Sequence, residues 1–447
     1  MDSILKKYIL IFFCFSVTTA IAQKKWSLQD CINYANEHNV DVIKQKIRSE
    51  IANSDIKIAR GNYLPDASFI ASQNFSLGNS FNVSTGVGQL ESSSNSFSLS
   101  SSLNIFDGFA NKYKLQRAKL NKEKSESDLE KIRFDVALNI TNKYLQVLFN
   151  KEILKVAKEQ LEISTQNYNR LKSLYDNALK GKRELLEIES TLASDKKEKI
   201  VAENTLKNSL IELQELLDIK EIDDFEIEEI LVESTKLFTD TIPEAVIEKN
   251  PEIISSRLDL AIKKRDLKLT NTSFYPKVNL NYSYSSNYFH IIGEEDLVVN
   301  QQTGELIPNG FWVQLDNNRT HYIGISATFP IFSRFLNREN YKKSKEEIKI
   351  SEFDLLSNKQ KLKNKITVAK NDVLASKASF EASELALKTQ QKAFEILSQQ
   401  YKNGNVGNYE FLEGKNKLIV NASELIKAKY EYYFKTKVLG YYFNQNN

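Results

Sequence analysis

The chain has 447 residues, 27% of them charged with the signs nearly balanced, a formal net charge of +3, and only 14 glycines and 6 prolines. That balance excludes a strongly basic nucleic-acid binder and an acidic disordered chain. The scarcity of loop-forming residues excludes a succession of short elements and leaves a few very long ones.

Taken in order, residues 1–22 read as a secretory signal peptide: Lys6 and Lys7, an apolar run from Tyr8 to Phe15, and an A-x-A cleavage site at Ala20-Ile21-Ala22. Cys14 lies inside that peptide, so only Cys31 remains after cleavage and no internal disulfide can form. No later stretch is long and apolar enough for a membrane helix, so a spanning protein must use strands.

An amphipathic helix is expected from Ser27 to Arg60, ending at Gly61 and Pro65. Two period-two segments follow. Ala67, Phe69 and Ala71 alternate with Ser68 and Ser72, and Phe97, Leu99, Leu103 and Ile105 with Ser98, Ser100, Ser102 and Asn104. A Ser/Gly/Asn-rich loop, Gly78 to Asn95, is expected between them.

From Phe109 to Lys180 there is no glycine or proline, and Ile140, Val147, Leu154, Leu161, Tyr168 and Tyr175 recur every seven residues. Strict heptads hold one helical seam against a neighbour. Adding 226 to each number gives Ile366, Val373, Phe380, Leu387, Phe394 and Tyr401, all apolar again. The chain is a duplication.

Earlier in each copy the offset is 211, which relates Asn39 to Asn250 and Pro65 to Pro276, so the second copy carries 15 extra residues between its strands. Its strands set Val278, Leu280, Tyr282 and Tyr284 against Asn279, Asn281, Ser283 and Ser285, and Ile323, Ile325, Ala327, Phe329 and Ile331 against Gly324, Ser326 and Thr328. A loop from His290 to His321 is expected to join them. The repeats are residues 23–217, with strand pair 65–106, and 242–443, with strand pair 276–332. A linker (218–241) and a short tail (444–447) complete the chain.

One apolar face and one small polar face per strand suit an outer-membrane barrel, with lipid outside and water inside. Tyr288, Phe289, Phe311, Trp312 and Tyr322 suit its aromatic girdle. Four strands cannot close, and open edges are forbidden in lipid, so copies must share one barrel. Three copies give twelve strands, and a cyclic homotrimer is the expected assembly, with a dimer as the alternative. Two short helices laid end to end match each long one in length, which makes an even-walled cylinder.

This order, with Pro330-Ile331-Phe332 and Asn104-Ile105-Phe106-Asp107-Gly108 before the long helices and Trp26-Ser27-Leu28-Gln29-Asp30-Cys31 at the start, resembles the TolC-like outer membrane efflux protein family over the whole mature chain. The resemblance implies a mainly α fold with a membrane β-barrel: duplicated long-helix hairpins form a trimeric helical tunnel capped by a shared twelve-stranded barrel. It further implies an exit channel of a tripartite efflux or type I secretion system. The channel would pass substrates from a periplasmic adaptor and an inner-membrane transporter of RND or ABC type.

The hairpin turns, Tyr175 to Gly181 and Tyr401 to Gly407, are then the periplasmic tips, where Asn and Gly suit a tight reversal. The resemblance carries adaptor docking to Gly181, Leu185, Gly407 and Phe411. Glu184 with Glu187, and Glu410 with Glu413, each share a helix face. Such residues are ordinarily solvated and favoured near a helix N-terminus. The family reading makes them acidic rings at the channel constriction, chiefly Glu410 and Glu413. Asn408 stands where relatives often carry a basic residue.

No catalytic motif is present: His38, His290 and His321 are too scattered for a zinc site, and neither G-x-S-x-G nor a phosphate loop occurs. Neither enzyme activity, cofactor, metal nor nucleic-acid partner is therefore expected. The alternative reading from the residues is a periplasmic coiled-coil adaptor or structural spacer.

Overall fold

The computed structural model describes residues 25–82, 86–219, 225–230 and 242–443. The expected signal peptide and C-terminal tail, and most of the linker, lie outside these. In chain order the elements are α1 (Leu28–His38), α2 (Val40–Gly61), β1 (Ser68–Asn82), β2 (Gly86–Phe106), α3 (Ala110–Asp176) and α4 (Lys182–Leu217). The second half has α5 (Glu244–Glu248), α6 (Pro251–Asn271), β3 (Lys277–Ile291), β4 (Leu297–Val299), β5 (Leu306–Pro308), α7 (Phe311–Asn317), β6 (Thr320–Thr328), α8 (Leu336–Lys402) and α9 (Asn408–Phe443). The long helices α3 and α8 have 67 residues each and α4 and α9 have 36 each. At 1.5 Å per residue the former are about 100 Å long.

The chain divides into two compact units, each assembled from both halves of the sequence: residues 1–47, 128–253 and 358–447, and residues 48–127 and 254–357. The first is helical. Its core gathers Cys31, Ala35, Ile140, Tyr144, Val147, Leu148, Leu213 and Leu217 with Phe225 and Ile227 of the inter-repeat segment. Trp26 forms a parallel bridge with Ile227, and the Tyr144 hydroxyl stands 2.9 Å from the Trp26 carbonyl and 2.7 Å from that of Glu228. Burial pushes the Cys31 thiol up to about 12. The heptad ladder of α3 is buried at Ile140, Val147 and Leu154, and Tyr175 next to the turn is exposed.

The second unit holds a four-stranded antiparallel sheet in the order β1-β2-β3-β6 and a separate β4–β5 pair. The two strand pairs join through β2 and β3, leaving β1 and β6 at the edges. Four expectations change. The first helix is broken at Asn39, whose extended backbone lets its side chain cap α2: the Asp41 N–H donates to Asn39 Oδ1 at 3.0 Å. Asn250 does the same for α6, the Glu252 N–H donating at 2.9 Å. The loop expected from Gly78 to Asn95 is largely strand, the ladder running to Asn82 opposite Gly86, because Phe75 and Leu77 continue the alternation of β1. The loop expected from His290 to His321 contains the β4–β5 hairpin and α7. Finally, β6 stops at Thr328: Pro330 cannot donate to a ladder, and Ile331 is 96% exposed.

Candidate channel surfaces: the sheet faces and the hairpin tips

The register sorts side chains across the four strands. One face carries the rows Ser68–Ser100–Ser283–Tyr322, Ile70–Ser98–Ser285–Thr320, Ser102–Asn281–Gly324 and Asn104–Asn279–Ser326. Small hydroxyl and amide groups dominate it, with Ser72 and Ser96 hydrogen-bonded at 2.7 Å. The opposite face carries Phe69–Leu99–Tyr284–His321, Leu103–Leu280–Ile325 and Ser101–Tyr282–Ile323. Phe69, Ile323 and Ile325 are each about two-thirds or more exposed (67%, 73% and 71%), so this apolar face lacks a protein cover within the chain. A sheet with water-compatible groups on one side and uncovered apolar groups on the other has the two-faced character of an outer-membrane barrel strand set.

The strand-to-helix junctions repeat closely. Gly108 and Phe109 both have positive φ (69° and 71°), and so do Arg334 and Phe335, 226 residues later (50° and 64°). Phe106 meets Phe109 edge-to-face at 5.3 Å, and Phe332 meets Phe335 at 5.8 Å. The tips repeat as well: Ala178 turns the first hairpin at φ 57° and Gly404 the second at φ 79°. Asn177 and Gly181, the residues expected to take the left-handed backbone at the first tip, do not; Gly181 (φ −80°) instead caps α4.

Of the residues expected at the tips, Gly181 and Gly407 are exposed and Leu185 is half-buried. Phe411 is buried, stacked on Tyr401 at 4.4 Å and against Phe394 at 5.5 Å. Glu184 pairs with Lys180 at 3.2 Å, Glu187 with Arg183 at 2.9 Å and Glu413 with Lys417 at 2.7 Å, each along one helix or its turn. Glu410 is exposed and has no ion pair among the described residues. Three of the four carboxylates therefore carry a local counter-charge.

Two features of the tip region escaped sequence reasoning. Arg170 of α3 donates to the carbonyls of Tyr401 (3.2 Å) and Lys402 (2.7 Å) and lies 5.1 Å from the centre of the Tyr401 ring. It thereby satisfies the carboxyl end of α8 and holds the first hairpin to the second. Nearer the middle of the hairpins, Lys415 of α9 donates to Asp195 of α4 at 2.5 Å, with both side chains nearly sealed from solvent (2% and 4% exposed). Ser164 of α3 hydrogen-bonds to Asp195 and to Lys415, and Gln160 Nε2 donates to the other Asp195 oxygen at 2.5 Å. Burial pulls the Lys415 ammonium below the usual lysine value, against the pull of Asp195. Ser164 stands three residues after the ladder residue Leu161, and a polar residue beside that seam is the one signal the sequence offered.

A family model described as outer membrane efflux protein matches residues 31–218 and 242–436. No curated protein matches the sequence. Similar solved structures include the transmembrane channel protein CusC (TM-score 0.77, 14% identity, covering 93% of this chain and 91% of that one). The Campylobacter jejuni CmeC outer membrane channel aligns with TM-score 0.77 and 19% identity over 94% of this chain and 85% of that one. The Vibrio cholerae outer membrane protein VceC aligns with TM-score 0.73 and 15% identity over 93% and 95%. At such identities the likeness shows the fold, a mostly helical chain with a small sheet as in TolC-like channels. The matched model covers most of the sequence, and the chain therefore belongs to the outer membrane efflux protein family, as an outer-membrane protein with a periplasmic helical domain.

Proposed function

We propose that the protein is the outer-membrane exit channel of a tripartite efflux or type I secretion system. In this reading three copies close a twelve-stranded barrel, and substrates cross it passively from a periplasmic adaptor and an inner-membrane RND or ABC transporter. The observation that carries the reading is the four-stranded sheet itself, with one polar and one apolar face and unpaired edges at β1 and β6. In lipid those edge groups each cost several kcal/mol unless another strand takes them, and a ring of copies supplies that strand. The barrel then offers a bore lined by Ser, Asn and Thr that conducts without chemistry.

The exposed tips around Gly181 and Gly407, with Leu185 beside them, serve as the adaptor dock, and Phe411 shapes the second tip from inside by stacking on Tyr401. Glu410 leads the acidic ring at the constriction, because Glu184, Glu187 and Glu413 are each partly neutralised by a neighbouring cation. The test is conductance in planar bilayers together with gel mobility before and after heating. A detergent-resistant oligomer that opens ion-conducting pores is expected, and a soluble monomer that never enters bilayers overturns the reading. Within that assay Glu410→Gln should weaken block by divalent cations more than Glu413→Gln, and unchanged block in the double variant removes the ring.

A further inference from the structure

The extra residues of the second strand pair do more than lengthen a loop. β3 runs to Ile291, but β6 pairs with it only from Lys277 to Ser285. Beyond Ser285, α7 occupies the place a strand would take. Gln314, 8% exposed, imitates a backbone amide: its Oε1 accepts from the Phe289 N–H at 3.0 Å and its Nε2 donates to the Phe289 carbonyl at 2.9 Å. Asn318 Nδ2 donates to the Asn287 carbonyl at 2.7 Å, and Ser286 Oγ donates to the Leu315 carbonyl at 2.6 Å. Phe311 anchors the helix on the apolar face, edge-on to Tyr288 at 5.0 Å and 6.4 Å from Phe97. With these groups of β3 taken, no further strand can add there.

The same helix leaves Trp312 78% and Val313 45% exposed. At the opposite edge of the sheet, β1 has 15 residues while β6 has nine, and the apolar face of its upper half exposes Phe75 (64%) and Leu77 (71%). We propose that α7 is a subunit contact, its Trp312 and Val313 packing on Phe75, the last apolar residue within the β6–β1 seam, and Leu77, just past its end, of a neighbouring copy. This rests on the reading of the protein as a closed ring of copies. If Thr328 lies opposite Ser68 of the neighbour, the nine residues of β6 take Ser68 to Ser76, and Leu77 is the first apolar side chain beyond them. Phe75, Leu77 and the Phe311 anchor all belong to the apolar side, so the contact needs no strand to change face. A ladder that ends on a fixed cap also pins its register, since a one-residue slip turns every side chain to the wrong face.

The chain has two tryptophans, so Trp26→Phe leaves Trp312 as the sole emitter. That variant is reconstituted into phosphatidylcholine vesicles whose acyl chains are brominated near the headgroup, and quenching by the lipid is compared with quenching by aqueous iodide. Trp312 is expected to be shielded from both, and Trp312→Ala is expected to lower the temperature at which the detergent-resistant oligomer dissociates. Strong quenching by brominated lipid places α7 against the bilayer and overturns the contact, and so does strong quenching by iodide. If no oligomer band appears even without substitution, the ring reading itself has failed, an outcome read on the gel and separate from the quenching result.

Discussion

The two copies solve the same backbone problems with different residues. At the strand-to-helix junction the first copy has Gly108 and the second Arg334; at the tip the first has Ala178 and the second Gly404. All four have positive φ, so each copy places glycine at one of two turns that both demand a left-handed backbone. Such a backbone costs an L-residue roughly 1 kcal/mol, which long packed helices on either side can absorb. Gly108 has a further reason to be glycine. A Cβ there would lie 2.7 Å from the Tyr275 Cβ and 2.9 Å from the Thr272 carbonyl, while Gly404 has open space around it. Duplication preserved the path of the chain, and local crowding decided where glycine was compulsory.

The largest effect expected from breaking this comparison lies where the copies are tied together. Lys415 comes from the second copy and Asp195 and Ser164 from the first, so the cluster joins the two hairpins. Removing one partner strands a buried charge, so Lys415→Ala or Asp195→Ala should destabilise by about 3–5 kcal/mol. Replacing both by apolar residues of similar size should restore most of the loss. Chemical denaturation of the detergent-solubilised protein measures this, and a double-variant loss equal to the sum of the two single losses would show that the pair is not coupled.

A smaller effect separates the turns. Gly404→Ala should cost about 1 kcal/mol, and Gly108→Ala should cost distinctly more because strain and a clash add. Arg334→Gly and Ala178→Gly should be neutral to stabilising by a few tenths of a kcal/mol, relief of strain being offset by the entropy of glycine. Melting temperatures of the four variants give the ranking, and a Gly108→Ala no worse than Gly404→Ala would remove crowding as the cause.

The smallest contrast concerns the helix caps. Asn39→Ala and Asn250→Ala should each cost about 1 kcal/mol, and Asn39 slightly more, because its amide also donates to the Leu216 carbonyl at 3.1 Å. Equal melting shifts for the two would show that this bond to α4 contributes nothing.

How much was legible follows from the same residues. Period seven over Ile140 to Tyr175, and its echo from Ile366 to Tyr401, is written in apolar spacing and requires no partner to be seen. The alternation of the four strands is equally local, as is the absence of glycine and proline that sets the length of α3 and α8. The caps at Asn39 and Asn250 were visible only as matched positions: an asparagine inside an amphipathic pattern reads as exposed polar surface until the helix is seen to break. The tip glutamates were legible as pairs on one face, but their counter-charges depend on rotamers that the pattern does not specify.

What the sequence determined by itself, then, is periodicity, duplication and the two-faced character of each strand, because side-chain spacing dictates which residues share a face before any tertiary contact forms. Only the tertiary structure decided the rest: β2 joining β3, Gln314 standing in for a strand, and Lys415 sealed against Asp195. These depend on which groups of different elements meet, and local composition and period do not specify contacts such as that of Ser164 with Lys415, 251 residues apart.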